Sequence, residues 1–278
     1  MKALIAQALR EDLGDGDHSA NSCIPKNALG KAQLLVKSDG ILAGIAVAEE
    51  VFKQVDPEIR FTKILNDGEL IKQGDCAFEV KGKSRSILKA ERLALNFMQR
   101  MSGIATHTAR LINLIEGTGT KILDTRKTTP NFRLFEKEAV TIGGGENHRM
   151  GLYDMIMIKD NHIDYAGGIK EAIHKAIEYR NKHQLDIKIE VEARDLNEVD
   201  EILNAEKVDR IMLDNFSFKD LKEAVKRIGS TLETEASGGI TEETIRSYAE
   251  CGVDYISVGA LTHQIKSLDL SLKAVADD

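Results

Sequence analysis

Six short apolar runs between about Lys121 and Ala260 each end in residues that could do chemistry. KIL ends in Asp124-Thr125-Arg126-Lys127, MIMI in Lys159-Asp160-Asn161, and IKIEV in Glu192. RIML ends in Asp214-Asn215, LETEA in Ser237-Gly238-Gly239, and YISV in Gly259-Ala260. Arg126, Arg149 and Lys159 suit a compact polyanion, since a guanidinium grips a carboxylate through two parallel hydrogen bonds. Glu192 and Asp214 could bind sugar hydroxyls, stand beside Mg2+, or steady a cationic transition state. The period of two in IEVEA puts Glu190 and Glu192 on one face, so spacing leaves open which acid serves.

The glycine turns SGG (237–239) and VGA (258–260) follow the last two runs, where barrel enzymes often hold a phosphate on backbone N–H groups. Thr241 is an N-cap type of residue for the helix expected after SGG. In TIGGGENHRMG, three glycines could let the backbone approach a ligand closely, with His148 and Arg149 directly following. Between Lys121 and His162 seven Lys/Arg face six Asp/Glu, a local charge of +1 in a chain of net charge −7. Together these residues describe one pocket for a phosphate, one or more carboxylates, and a sugar-like or metal-bridged group.

The elements that must position them follow from the pattern. Strand-like runs alternate with amphipathic stretches, namely GIKEAIHKAIEYRN, DLNEVDEILNA, FKDLKEAVKRI and EETIRSYAEC. Such alternation predicts a parallel sheet that curls into an α/β barrel, complete or open-sided, with its site at the C-terminal strand ends. Residues 1 to about 104 read differently. A helix from Ala3 to Leu13 leads into a GDGD turn, then β-like runs AQLLVKS, GILAGIA, IRFTKIL and CAFEVKG. A long helical region from Ser86 to Glu116 follows, interrupted at Ser102-Gly103, where Ser102 could cap a second helix.

Composition bounds the rest. At 42% apolar and 30% charged residues the chain reads as an ordinary soluble globular protein. Its net charge of −7 argues against non-specific nucleic-acid binding. No apolar run reaches the roughly 20 residues that span a bilayer, and the acidic turn after the first helix is unlike a signal peptide. Cys23, Cys76 and Cys251 lack metal-binding spacing, which excludes a cysteine zinc cluster and fits a reducing cytoplasm.

At EDLGDGDHS, ERLALNFMQRMSGIAT, DTRKTTPNFR, EKEAVTIGGGENHRMGLYDMIMIKDNH, IEVEA, IMLDNF, EASGGIT and GVDYISVGALTH the sequence resembles the quinolinate phosphoribosyltransferases almost end to end. The resemblance implies a type II phosphoribosyltransferase fold. That is an N-terminal α/β sandwich (1–104, with the tail 265–278 packed on it) and an open α/β barrel (105–264). It implies a cytoplasmic homodimer or higher homo-oligomer in which Arg92, from the ER of ERxxLN, reaches into the partner's site. It further implies that Arg126, His148, Arg149 and Lys159, with Thr125 nearby, hold the carboxylates of quinolinate. Lys127, Glu192 and Asp214 would carry catalysis and face phosphoribosyl pyrophosphate and its Mg2+, the metal being held mainly by pyrophosphate. Ser237, Gly238, Gly239, Val258, Gly259, Ala260 and His263 would line the 5′-phosphate end. KTTP is a mild variation at its second Thr, outside this set.

The implied reaction joins the pyridine nitrogen to the sugar, with loss of pyrophosphate and then CO2, giving nicotinate mononucleotide. Other readings of the residues stand beside it. Lys159 at a strand end near acids would suit a Schiff-base lyase. The fold could also serve another acid, a molybdenum-transport operon, or a phosphometabolite-binding protein without turnover.

Overall fold

The computed structural model describes residues 1–275. In chain order the first elements are α1 (Lys2–Leu13), α2 (His18–Cys23), β1 (Leu29–Val36), β2 (Gly40–Ile41), α3 (Ile45–Val55), β3 (Arg60–Lys63), β4 (Leu70–Ile71), β5 (Cys76–Lys83) and α4 (Ser84–Leu114). There follow β6 (Lys121–Leu123), α5 (Arg133–Ile142), β7 (Met155–Ile158), α6 (Asp160–Ala166), α7 (Ile169–Lys182), β8 (Lys188–Ala193), α8 (Leu196–Leu203) and β9 (Arg210–Asp214). The last are α9 (Phe218–Ile228), β10 (Glu233–Ser237), α10 (Ile245–Ala249), β11 (Tyr255–Ser257), α11 (Ala260–His263) and β12 (Leu270–Val275).

These elements form two compact units. Among the described residues the first takes Met1–Ala109, Thr128–Gly144 and 261–275; the second takes Arg110–Lys127 and Gly145–Ala260. The sequence boundary near 104 differs from this division chiefly at 128–144, which groups with the N-terminal part. In the first unit an antiparallel sheet runs β12-β1-β5-β3, so the C-terminal strand adds an edge to the N-terminal sheet. Phe52, Phe61 and Phe78 pack their rings in its core. Residues 276–278 of the expected tail lie outside the described residues.

Three local expectations give way here. GILAGIA is a strand only at Gly40–Ile41; α3 begins at Ile45, where Asp67 accepts the Ile45 N–H as a remote cap. Ser102-Gly103 does not interrupt α4, which runs unbroken from Ser84 to Leu114. Ser102 is buried and its hydroxyl bonds both the N–H and the carbonyl of Ala43, while a Cβ at residue 103 would strike the carbonyl of Lys266. The small pair therefore serves close packing inside one helix. Gly143, likewise, would meet the Ala105 carbonyl if it carried a Cβ, so the first glycine of GGG answers to helix packing.

The second unit holds six parallel strands in the order β6-β11-β10-β9-β8-β7. All six expected runs are strands. From β7 to β11 each strand lies beside its predecessor, and β6 joins at β11. This single direction of winding is that of a barrel, whereas doubly wound sheets reverse. The turn is not closed, because β6 and β7 are unpaired among the described residues. β8 and β9 are buried along almost their whole length, as parallel strands covered on both faces must be. Asp195 and Ser217 cap α8 and α9 with their side chains and so fix where those strands end. Thr241 does not cap α10, which starts at Ile245 behind Thr244.

Candidate active site

The C-terminal edge of the parallel sheet collects the expected residues of the second unit. Thr125, Arg126 and Lys127 leave β6 after the buried Asp124. Lys159 follows β7; Glu192 is the penultimate strand residue of β8; Asp214 ends β9 and Ser237 ends β10, paired in register. Val258-Gly259-Ala260 follows β11. The strand order therefore sorts the rim. From β11 round to β8 stand two glycine turns and two acids. Arg126 and Lys159 flank the unpaired side.

That unpaired side is filled by the segment carrying Arg149. Glu146 bridges Leu123 in parallel fashion, donating its N–H to Ile122 (2.8 Å) and accepting from Asp124 N–H (3.2 Å). One step on, the His148 N–H donates to Asp124 Oδ1 at 2.8 Å. Asp154 then accepts the N–H groups of Met150 and Gly151 at 2.7 and 2.8 Å and folds the loop back. Arg149 lies half-buried, its Nη1 3.4 Å from the Met155 carbonyl. Burial lowers its pKa from the ordinary arginine value, and the nearby Arg126 guanidinium lowers it further. Two like charges that feel one another are what an anion would relieve.

Across the rim, Lys159 Nζ donates to Glu192 Oε2 at 2.9 Å. Glu192 is buried and Asp214 half-buried; the Asn215 side-chain amide donates to Asp214 at 2.6 Å. Asn215 (φ 56°) also donates its N–H to the Ser237 carbonyl at 2.8 Å, tying the ends of β9 and β10 together. Gly238 has φ 103° and would place a Cβ on the Asn215 amide; only glycine fits there. Lys127 is exposed, with its N–H on Thr125 Oγ1 at 3.1 Å. Arg92 is exposed on α4 and His263 on α11, both in the first unit.

Beneath the rim the barrel interior is ionic. His148 Nε2 lies 2.9 Å from Glu190 and 3.3 Å from Glu235, both fully buried. Arg210 reaches Glu235 at 3.3 Å and Glu233 at 3.0 Å, and lies 4.1 Å from the Tyr255 ring centroid. His148 Nδ1 accepts the N–H of Arg149 at 2.7 Å. The expectation that the His148 ring holds a substrate carboxylate thus meets a physical obstacle, since both ring nitrogens already have protein partners. Burial lowers the histidine's pKa, but hydrogen bonds to the two glutamates outweigh it and raise it to about 9. Burial, with the charge of Glu235, pushes Glu190 up to about 7. The groups titrate as one set. Because Nδ1 faces an N–H donor, the extra proton belongs on Glu190 and the imidazole keeps its proton on Nε2.

Sequence reasoning named Asp124 at the end of its run but gave it no role, and it did not find Arg210 or Glu235. The alternation in TLETEA carried a signal for Glu235, since it repeats the inward period of IEVEA; Arg210 carried none.

Known proteins give this geometry a family. Residues 17–102 match the quinolinate phosphoribosyl transferase N-terminal domain and residues 104–273 its C-terminal domain. The chain belongs to the quinolinate phosphoribosyl transferase family. Among curated members of the family, quinolinate phosphoribosyltransferase [decarboxylating] 1b of Nicotiana tabacum is 46% identical, with 98% of this chain and 82% of that protein covered. The probable nicotinate-nucleotide pyrophosphorylase [carboxylating] of Bacillus subtilis is 40% identical, covering 98% and 92%. The solved nicotinate-nucleotide pyrophosphorylase of Francisella tularensis superposes with a TM-score of 0.92 at 42% identity, covering 99% and 95%. No helix among the described residues is long and apolar enough to cross a membrane.

Proposed function

We propose that this chain transfers the phosphoribosyl group of phosphoribosyl pyrophosphate to quinolinate with decarboxylation, giving nicotinate mononucleotide, pyrophosphate and CO2 in NAD biosynthesis. The observation that carries the reading is Arg149 lying within the field of the Arg126 charge, with Lys159 following β7 on the same open side of the barrel. A dicarboxylate answers three cations gathered there. Arg126, Arg149 and Lys159 hold the carboxylates with Thr125 beside them, and His148 supports Arg149. The glycine turns 237–239 and 258–260, with His263, take the 5′-phosphate through backbone N–H groups.

The pyridine nitrogen bonds to C1 of the ribose as the C1–O bond to pyrophosphate breaks, through an oxocarbenium-like state. Glu192 and Asp214 hold the ribose hydroxyls and favour the developing positive charge, while Lys127 faces the leaving group. The ring nitrogen is then cationic. Electrons of the adjacent C–CO2 bond flow into the ring, CO2 departs and a proton takes its place, so no dedicated base is required.

Mg2+ supplies charge neutralisation for pyrophosphate. The donor set fits a metal carried by the substrate: Glu192 and Asp214 stand at adjacent strand ends, but they form no multidentate cage with a third ligand among the described residues. The family reading makes the protein a homodimer or higher homo-oligomer with Arg92 contributed across the interface, and Leu152 (73% exposed), Tyr153 (73%) and Tyr165 (91%) leave large apolar groups on the second unit's surface that association could cover. Three free cysteines support a reducing, cytoplasmic setting. For the lyase reading of Lys159, the ion pair to Glu192 is unfavourable.

The test is incubation of the purified protein with quinolinate, phosphoribosyl pyrophosphate and Mg2+. Equimolar CO2 and pyrophosphate are expected, and nicotinate as the acid should give neither. Turnover of nicotinate at a comparable rate would overturn the assignment.

A further inference from the structure

We infer that Glu190, Glu235 and Arg210 are positioning residues for Arg149, acting through the ring of His148. The inference rests on the reading of Arg149 as a carboxylate-binding residue.

The chain of contacts is continuous and lies within one unit. Glu235 comes from β10 and is held in place by Arg210 from β9, which Glu233 and the Tyr255 ring hold in turn. Glu190 comes from β8, level with Arg210 in the parallel register. These two acids converge on one atom, His148 Nε2. With Nε2 fixed as the donor, Nδ1 presents a lone pair, and the Arg149 N–H takes it at 2.7 Å. Asp124 clamps the preceding N–H at 2.8 Å. The backbone on the N-terminal side of the Arg149 side chain is therefore held at two successive amides, with strand-borne groups behind each.

Such anchoring matters because Arg149 lies within the field of the Arg126 charge. Two guanidinium groups repel, and a half-buried arginine with a long side chain would otherwise swing away from its neighbour. Holding the backbone limits that escape and keeps the anion receptor open before a ligand arrives, which is the usual economy of preorganisation. Neither Glu190 nor Glu235 faces the rim where Glu192 and Asp214 stand, which separates this role from that of the sugar-facing carboxylates.

The experiment is a double-mutant cycle between Glu235→Gln and Arg149→Ala, with Glu190→Gln as a second probe. Glutamine keeps the shape and an acceptor oxygen but cannot ionise. In the otherwise unchanged protein each glutamine variant should raise the KM for quinolinate roughly 5- to 10-fold while leaving the KM for phosphoribosyl pyrophosphate within about twofold. In the Arg149→Ala background the same change should have almost no further effect on the KM for quinolinate. Circular dichroism and the thermal midpoint identify a variant that does not fold, in which case Glu190→Gln replaces it. An undiminished effect in the Arg149→Ala background, or an equal rise in both KM values, would overturn the inference. If Arg149→Ala alone leaves quinolinate binding intact, it is the reading of Arg149 that fails instead.

Discussion

Lys159 and Glu192 hold one another at 2.9 Å across the ends of neighbouring strands. In the proposed reaction they belong to different substrates, one to the pyridine acid and the other to the sugar. Lys159→Ala should raise the KM for quinolinate roughly 10- to 100-fold, the size of a lost charge-assisted hydrogen bond, and that for phosphoribosyl pyrophosphate by less than about threefold. Glu192→Gln should show the complement, a fall in kcat with quinolinate binding retained. Steady-state kinetics with each substrate varied in turn will decide, and a matching loss for both substrates would contradict the division of roles.

Arg126 and Arg149 predict a ligand effect on stability. Quinolinate at about a hundred times its Kd should stabilise the protein by about 2.7 kcal/mol. Arg126→Ala should remove most of that rise when thermal midpoints are compared at one quinolinate concentration. An unchanged midpoint shift would show that the acid binds elsewhere.

The buried set of His148 and Glu190 makes stability depend on pH. Both groups sit above their ordinary values, at about 9 and about 7, so the folded state holds its proton more tightly than the unfolded chain. The contribution is complete below about pH 4.5 for the acid and 6.5 for the ring, and is lost as pH rises through the folded values. One coupled proton is at stake. Urea unfolding between about pH 6 and pH 10 should therefore show falling stability, with a slope of at most about 1.4 kcal/mol per pH unit from this set. Glu190→Gln should flatten it; the same slope in that variant would assign the proton to another group.

Gly238 and Gly239 form an internal control. Both have positive φ, yet a Cβ at 238 falls on the Asn215 amide while one at 239 meets nothing within 4 Å. Gly239→Ala should cost about 1 kcal/mol from backbone strain alone. Gly238→Ala should cost about 2–4 kcal/mol and displace the turn proposed for the phosphate. Chemical denaturation of both variants, with the KM for phosphoribosyl pyrophosphate, will separate strain from clash. Equal costs would mean that Asn215 yields easily.

A shared site predicts complementation. Arg92→Ala and Lys159→Ala homo-oligomers should each be nearly inactive. Mixed in equal amounts and allowed to exchange subunits, they should recover about a quarter of the original activity, because half the dimers are mixed and each of those rebuilds one site. No recovery despite proven exchange would place Arg92 outside the partner's site.

How far residue patterns reach is clear from particular cases. The strands carrying Lys159, Glu192, Asp214 and Ser237 could be read because parallel strands are apolar on both faces and turn polar only where they leave the sheet. Gly103 misled because glycine marks a break and a close approach with the same letter, and only the Lys266 carbonyl, far away in the chain, tells them apart. His148 is the sharper case. Next to Arg149 it reads as a second substrate ligand, yet its partners Glu190 and Glu235 come from separate strands, and no local window contains the pair. Arg92 looks like any solvated helix arginine, and only the family resemblance marked it.

The missing ladder between β6 and β7 has an outcome that a closed ring could not give. Had those two edges zipped together, Ile122 and Asp124 would have engaged a strand, and the Glu146 and His148 backbone could not have docked on them. Leaving the seam unsewn let an irregular stretch, Glu146 to Arg149, be stitched in for a few residues and then turn away. The defect in the barrel is thus what creates its positive corner, and any redesign that sealed the seam would erase the receptor together with the opening.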